Sequence, residues 1–299
     1  MPTNRTLTLS LRITVPLPQE SDASLVVIGA HHFGQDEHDQ VYPHVRKHRW
    51  ASVVLVEASP RIAAQLRENV ALHPPFPLVR PEKVSVVSEG VCPNVGDEGS
   101  TLPFYTFTAA RGLPYWASMI GSFDHAHVAK HVSWLLQMAK PNSSYTRTGE
   151  PTHWTRAALL QHIVPQPVVC RSLPAMLRRQ GVVQPSVLLI DTEALDCRLV
   201  ASTDWCQLQP RLLVFERTHC SSHDLVRALQ RLRGVGLPCA TRWRQVAQTS
   251  DNLYFRIVTD ERDMADLVPL DRVRAAGGWL AWSLAPAKRL WSRWAHGRP

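Results

Sequence analysis

Short apolar runs alternate with stretches of helical periodicity along most of the chain. The runs at 25–29 (LVVIG), 52–57 (SVVLVE) and 84–87 (VSVV) each predict a buried strand. After the second run, Ser59 followed by Pro60 is typical of a helix start, because serine caps the first turn and proline fits its first position. This part of the chain therefore predicts strands joined by helices, which is the pattern of a parallel sheet.

The same alternation returns in the second half of the chain. It predicts helices at 172–177, 193–201 and 222–232, and strands at 186–191, 211–216, 239–244 and 252–258. The short connection between the last two strands favours an antiparallel hairpin at one edge. We therefore expect an α/β domain with a mostly parallel sheet and helices on both faces.

Residues 94–165 fit this pattern less well and predict an insert between the third and fourth strands. Within it, Leu102–Phe107 favours a strand or hairpin arm and His125–Met138 favours a helix. Long inserts near strand ends commonly form lids. The insert side chains expected either to cover a substrate or to pack on the flank of the domain are Tyr115, Trp116, Ser118, Ser122 and Phe123.

The chain has 299 residues and a net charge of +8, and the excess charge lies at its two ends. Basic residues and no acid follow Asp271, and the segment before Glu20 is also free of acids. The near-neutral body argues against a nucleic-acid groove on the folded domain. No apolar run approaches the roughly 18 residues of a transmembrane helix. We divide the chain into an N-terminal extension (1–24), a domain (25–260) and a C-terminal tail (261–299).

The C-terminal tail combines basic residues with tryptophans. Its tryptophans form two pairs at i, i+3 spacing, Trp279 with Trp282 and Trp291 with Trp294, so each pair shares one face of a helix. Two interpretations remain open. The rings pack on the flank of the domain, or the tail lies on an anionic membrane surface or an acidic partner.

The six cysteines contain no CxxC pair, which argues against a zinc ribbon or a disulfide framework. We therefore expect reduced thiols in an intracellular protein of the cytoplasm. The acid-free start leaves targeting to an organelle open.

In parallel sheets ligands bind at the carboxyl ends of the strands. The first predicted strand ends in a glycine loop that runs from Gly29 to Gly34, the second ends in Glu57, and the fourth ends in Asp191. Glycine allows close approach of a ligand, and an acid at the second strand end can accept the hydroxyls of a ribose. The loop is not GxGxxG and no phosphate-binding GxxxxGK[ST] occurs, so the pattern favours S-adenosylmethionine over a dinucleotide or triphosphate.

Several segments together resemble the FkbM family of methyltransferases over about residues 25–220. They read VVIGAHHFGQ, VVLVEASPRIAAQLRENV, VSVVSEGV, VCRSLPAML, SVLLIDTEALD and RLLVFERTH. The resemblance implies a class I methyltransferase (Rossmann-like) fold with seven strands, S-adenosylmethionine as cofactor, and methylation of a hydroxyl on a small molecule or glycan. Val27 stands where the family usually has an acid, and the glycine loop is one residue longer. These departures keep open a degenerate fold that acts as a scaffold or assembly subunit.

The resemblance and the strand-end rule together nominate site residues. The cofactor-binding candidates are Gly29, Ala30, His31, Gly34, Glu57, Ser88, Glu89 and Asp191. A hydroxyl acceptor must lose a proton, so a carboxylate or an imidazole is needed close to it. The candidates for that role are Asp191, Glu193, His31 and His219. No HxH or HExxH motif occurs, and we therefore expect no metal site.

Overall fold

The computed structural model describes residues 6–9, 13–16, 23–31, 49–72, 79, 81–92, 94–108, 113, 115–138, 154–239, 243–248 and 252–257. Its strands are β1 Thr6–Leu9, β2 Ile13–Pro16, β3 Ser24–Ile28, β4 Ser52–Val56, β5 Val84–Val87, β6 Gly90–Val91, β7 Thr101–Phe107, β8 Gly121–Ser122, β9 Ile163–Arg171, β10 Val187–Ile190, β11 Leu212–Glu216, β12 Trp243–Gln248 and β13 Asn252–Ile257. Its α-helices are α1 Pro60–Leu72, α2 His125–Lys130, α3 Val132–Met138, α4 Arg156–Gln161, α5 Leu173–Arg179, α6 Asp196–Ser202 and α7 Ser222–Leu232.

The central sheet has seven strands, as predicted, in the order β12–β13–β11–β10–β3–β4–β5. The neighbours from β11 to β5 pair in parallel. The sheet is mixed, because β13 pairs antiparallel with both β11 and β12. The strands β12 and β13 form the predicted hairpin at the edge of the sheet. The chain moves outward from β3 to β5 and then returns to β10 on the other side of β3. The carboxyl ends of β3 and β10 therefore flank the switch point where such sheets bind ligands.

The central strands are almost entirely apolar because helices or neighbouring segments cover both of their faces. In β3, Val26 and Ile28 pack into a core shared with helices α5, α6 and α7. Leu25 and Val27 point to the opposite face and pack with residues of α1 such as Leu66. Val27, at the position where the family usually has an acid, is thus part of the hydrophobic core and is 2% exposed.

The predicted insert and the residues on either side of it form a second sheet, and the insert has a small core of its own. The order of this sheet is β6–β9–β7–β8, and β7 pairs antiparallel with β9 along its whole length. The helix expected at 125–138 is divided into α2 and α3 by a turn at His131. Buried residues of α2, α3 and α4, including Val128, Leu135 and Leu159, form the small core. The insert is therefore a folded layer rather than an open loop.

Two predicted boundaries are wrong. The helix expected from Glu193 begins at Asp196, because Glu193 and Ala194 have φ angles of 51° and 83°, outside the right-handed helical region. The strand expected at 239–244 lies at Trp243–Gln248, where it pairs with β13 and buries the Trp243 ring. In both places the tertiary environment overrides the local pattern.

None of the helices in the described part of the chain is both long enough and apolar enough to cross a bilayer.

The expectation of reduced thiols is also wrong. All six cysteines form disulfides, which join Cys92 to Cys170, Cys197 to Cys220 and Cys206 to Cys239. The paired residues are 78, 23 and 33 positions apart, so the absence of a CxxC motif gave no information about these pairings. Disulfides persist mainly in oxidising compartments.

Candidate active site

The site begins where β3 and β10 come closest together. Gly29 follows β3 with φ +78°, and a Cβ atom at this position would lie 1.6 Å from the carbonyl oxygen of Asp191. The Asp191 amide donates to the Ile28 carbonyl at 2.9 Å, which continues the pairing of the two strands. The Gly29 and Ala30 amides both donate to the Val56 carbonyl at 2.9 Å. Only glycine fits between the two strand ends, and it brings them to one point.

Glu57 follows β4 and ties the glycine loop to the start of α1. One carboxylate oxygen accepts the His31 amide at 2.9 Å, and the other accepts the Ser59 amide at 2.8 Å. The residue is only 7% exposed. Burial raises the pKa of Glu57 to about 7, although hydrogen bonds from the backbone of Ser59, His31 and Ala58 oppose this rise. The loop is therefore held at a buried carboxyl group with unused acceptor capacity, since each oxygen can accept more than one bond.

A cavity of about 170 Å³ lies over these strand ends. The loops after β3, β4 and β10 form one wall, and Phe104, Met119 and Phe123 of the insert form another. Thr192 also lines this cavity, and its amide donates to the Asp196 carboxylate at 3.0 Å.

The two cofactor-binding candidates after β5, Ser88 and Glu89, have different surroundings. Ser88 is not part of the cavity wall, whereas Glu89 is. The Glu89 carboxylate receives Arg171 Nε at 3.0 and 2.9 Å and an Arg179 guanidinium nitrogen at 3.1 Å. These ion pairs connect the start of β6 to β9 and α5, so Glu89 has a structural role besides lining the cavity.

The loop after β10 carries two predicted catalytic residues. Asp191 is exposed and lines the cavity. Glu193 also lines it, and the Ser122 hydroxyl of the insert donates to its carbonyl at 3.1 Å. The insert therefore reaches the cavity wall at Phe123 and contacts the loop after β10 at Ser122. The side chains of Tyr115 and Trp116, the loop residues from His32 to Gly34 and the C-terminal tail lie outside the described residues.

The Glu193 carboxylate faces a group of three imidazoles, which we call the histidine cluster: His127, His131 and His219. His127 Nε2 lies 3.3 Å and His219 Nε2 lies 3.6 Å from Glu193 Oε2. His131 Nε2 lies 3.4 Å from His127 Nε2. His31, the other predicted imidazole, lines the cavity through the glycine loop and does not belong to this cluster. Of these residues, the sequence predicts a role for His219 and Glu193 only, although His127 and His131 stand at i, i+4 spacing in it.

The charges in the cluster influence one another. Burial raises the pKa of Glu193, but the hydrogen bond from His127 and the nearby His219 and His131 lower it overall. Burial lowers the pKa of His131 to about 4, against the attraction of Glu193. Near neutral pH the cluster therefore combines an ionised carboxylate with a neutral imidazole at His131.

Comparison with known proteins defines the class. Residues 28–235 match the model of the methyltransferase FkbM domain, so the chain has a methyltransferase domain. The chain belongs to the FkbM methyltransferase family.

Similar solved structures are also methyltransferases. One is Sp1610 of Streptococcus pneumoniae, a proposed tRNA (m1A22) methyltransferase, at 13% identity and a TM-score of 0.34, over 92% of this chain and 79% of that chain. Another is the methyltransferase FkbM of Methylobacillus flagellatus KT, at 12% identity and a TM-score of 0.35, over 79% of this chain and 44% of that chain. No curated protein matches the sequence.

Proposed function

We propose that the protein is an S-adenosylmethionine-dependent O-methyltransferase that acts on a hydroxyl of a small molecule or glycan. The observation that carries this proposal is the convergence of Gly29, Glu57 and Asp191 around one cavity at the switch point of the sheet. These residues come from three different strand ends. Their meeting is what the family's cofactor site requires.

The residues present fit a nucleoside cofactor at the ribose end. The Glu57 carboxylate is oriented by two backbone amides and can still accept hydrogen bonds from ribose hydroxyls. Thr192 lines the same cavity and adds a polar residue to its wall. The bound cofactor would supply an electrophilic methyl group on a sulfonium.

The acceptor end is assigned to the loop after β10. Asp191 is exposed in the cavity, where it can accept a hydrogen bond from an acceptor hydroxyl and take its proton. Phe104, Met119 and Phe123 would exclude water from the acceptor, because they close the apolar wall of the cavity. Holding the acceptor in line with the donor lowers the activation barrier of such reactions by roughly 7–11 kcal/mol.

A scaffold without catalysis is the second candidate, and two observations favour it. Val27 belongs to the core at the position where the family usually has an acid. The cavity of about 170 Å³ is also smaller than the roughly 300–1,000 Å³ that is typical of ligand pockets. In that case the strand ends would hold the fold together without binding a cofactor.

Calorimetry with S-adenosylhomocysteine separates the two candidates. We expect the full chain to bind it with a Kd below about 1 mM. Glu57→Ala should weaken binding by about one to two decades, because hydrogen bonds to a charged group contribute roughly 1.5–3 kcal/mol. Glu68→Ala removes an exposed carboxylate from α1 and is the matched control. No heat of binding at millimolar ligand would favour the scaffold, and equal affinity of the two variants would refute the role of Glu57.

A further inference from the structure

Two imidazoles and a carboxylate meet where the insert covers the end of β10. His127 lies in α2, His131 follows at the turn after it, and Glu193 belongs to the loop after β10. The i, i+4 spacing places both imidazoles on one side of the helical segment. The potential donor atoms of the three residues all lie within 4.8 Å of one another.

The distances agree with ligands around a single ion. A tetrahedral zinc site with zinc–ligand distances of about 2.0–2.1 Å places neighbouring donor atoms about 3.3–3.4 Å apart. The observed separations are 3.3 Å from His127 Nε2 to Glu193 Oε2 and 3.4 Å from His131 Nε2 to His127 Nε2. Two imidazole nitrogens that face each other at this distance need a shared proton or a shared cation between them.

Two neighbouring side chains, Lys130 and His219, orient the donor residues rather than supplying donor atoms themselves. Lys130 Nζ lies 3.4 Å from His219 Nδ1, and a lysine ammonium can only donate there. His219 Nδ1 is therefore the acceptor, which leaves the proton on Nε2, 3.6 Å from Glu193 Oε2. His219 thus orients the Glu193 carboxylate in the way that outer partners orient metal ligands.

We propose that His127, His131 and Glu193 bind one divalent transition-metal ion, with zinc as the best match to two imidazoles and one carboxylate. Such a three-residue set leaves a coordination position open, as in catalytic zinc sites. The ion would lie at the cavity wall, because Glu193 is part of that wall.

The consequence for chemistry rests on the proposed function, whereas metal binding itself does not. A hydroxyl at the open position would lose its proton more readily, as metal-bound water does. The oxygen would then form its bond to the methyl carbon while the carbon–sulfur bond of the donor breaks. The products are the methyl ether, S-adenosylhomocysteine and the proton released to Asp191 or to solvent. The site would therefore favour an acceptor with a hydroxyl that can reach the metal.

The test is a zinc titration of the chelator-treated full chain by calorimetry. We expect one equivalent to bind to the wild type and to His223→Gln, a control that changes an exposed histidine on α7. Loss of an outer partner typically weakens metal binding 10- to 100-fold, so His131→Gln, which removes a direct ligand, should weaken it at least about 100-fold. Glu193→Gln should have the same effect. Cobalt(II) serves as a second probe, because its visible spectrum reports coordination by nitrogen and oxygen.

The outcomes are distinguishable from those for the proposed function. Equal zinc affinity in the wild type and His131→Gln, or no binding tighter than about 1 mM, would overturn the metal site. Circular dichroism and thermal unfolding test whether each variant is folded. If His131→Gln is unfolded, Glu193→Gln takes its place in the comparison. S-adenosylhomocysteine binding is measured on the same samples. If it persists while zinc binding is absent, the metal inference fails and the proposed function stands.

Discussion

Gly29→Ala tests whether the close approach of β3 and β10 holds the site together. The added Cβ would lie 1.6 Å from the Asp191 carbonyl oxygen and 2.7 Å from its carbonyl carbon. Both atoms belong to the backbone, so no side-chain rotation can relieve the contact. The strand ends would have to move apart, and the bond from the Asp191 amide to the Ile28 carbonyl, now 2.9 Å, would be strained or lost.

The magnitude follows from a comparison with Gly181→Ala. Gly181 has φ +71° and Gly29 has φ +78°, but a Cβ at Gly181 would meet nothing within 4 Å. Both substitutions carry the left-handed penalty of roughly 1–2 kcal/mol, which cancels in the difference. Overpacking costs about 1–3 kcal/mol and the strained hydrogen bond about 1 kcal/mol. We therefore expect Gly29→Ala to be about 2–4 kcal/mol less stable than Gly181→Ala.

The assay is urea-induced unfolding of both variants under non-reducing conditions. The free energies of unfolding are compared with each other rather than with the wild type, because alanine also restricts the unfolded chain. A difference smaller than about 0.5 kcal/mol, the usual error of such comparisons, would show that the two strand ends are not in contact and would refute the geometry at Gly29.

Three further predictions follow from the buried carboxyl group, the disulfides and the tail. Because the pKa of Glu57 rises from 4.5 to about 7 on folding, the folded state holds this proton more tightly, so stability should fall as pH rises from about 4.5 to about 7 and then level off. Glu57→Gln should remove a decrease on the order of 3 kcal/mol over that window, and parallel pH profiles of the two proteins in denaturant unfolding would contradict this. A thiol titration of the denatured, unreduced chain should detect none of the six cysteines as free. Reduction should lower the Tm, since each disulfide stabilises the folded state by about 2–4 kcal/mol. Detection of six free thiols without reductant would refute the pairing. Finally, we propose that the tail binds anionic membranes. The full chain should therefore sediment with anionic vesicles to a greater extent than a chain that ends at Asp271. Equal sedimentation of the two chains, with lower thermal stability of the shorter one, would show instead that the tail packs on the domain.

The sequence by itself determined the central strands and the three residues at their ends that meet at the cavity. The strands β3, β4, β10 and β11 are short, continuous apolar runs, and such runs are buried wherever the chain places them. The ends of those runs identified Gly29, Glu57 and Asp191. The rule that ligands bind at the carboxyl ends of parallel strands then predicted that these residues meet, because it depends only on strand direction.

Only the tertiary structure decided which distant residues touch. Local patterns describe neighbours along the chain, whereas the disulfide between Cys92 and Cys170 joins residues 78 positions apart. In the same way, the insert brings His127 to Glu193, 66 positions away, and the pairing of β6 with β9 brings Arg171 to Glu89, 82 positions away. Burial and charge attraction select such contacts after the sheet and the insert have packed. The histidine cluster therefore depends on the packing of the insert over the sheet, and the partners of Glu89 depend on the second sheet. No periodicity along the chain encodes either arrangement.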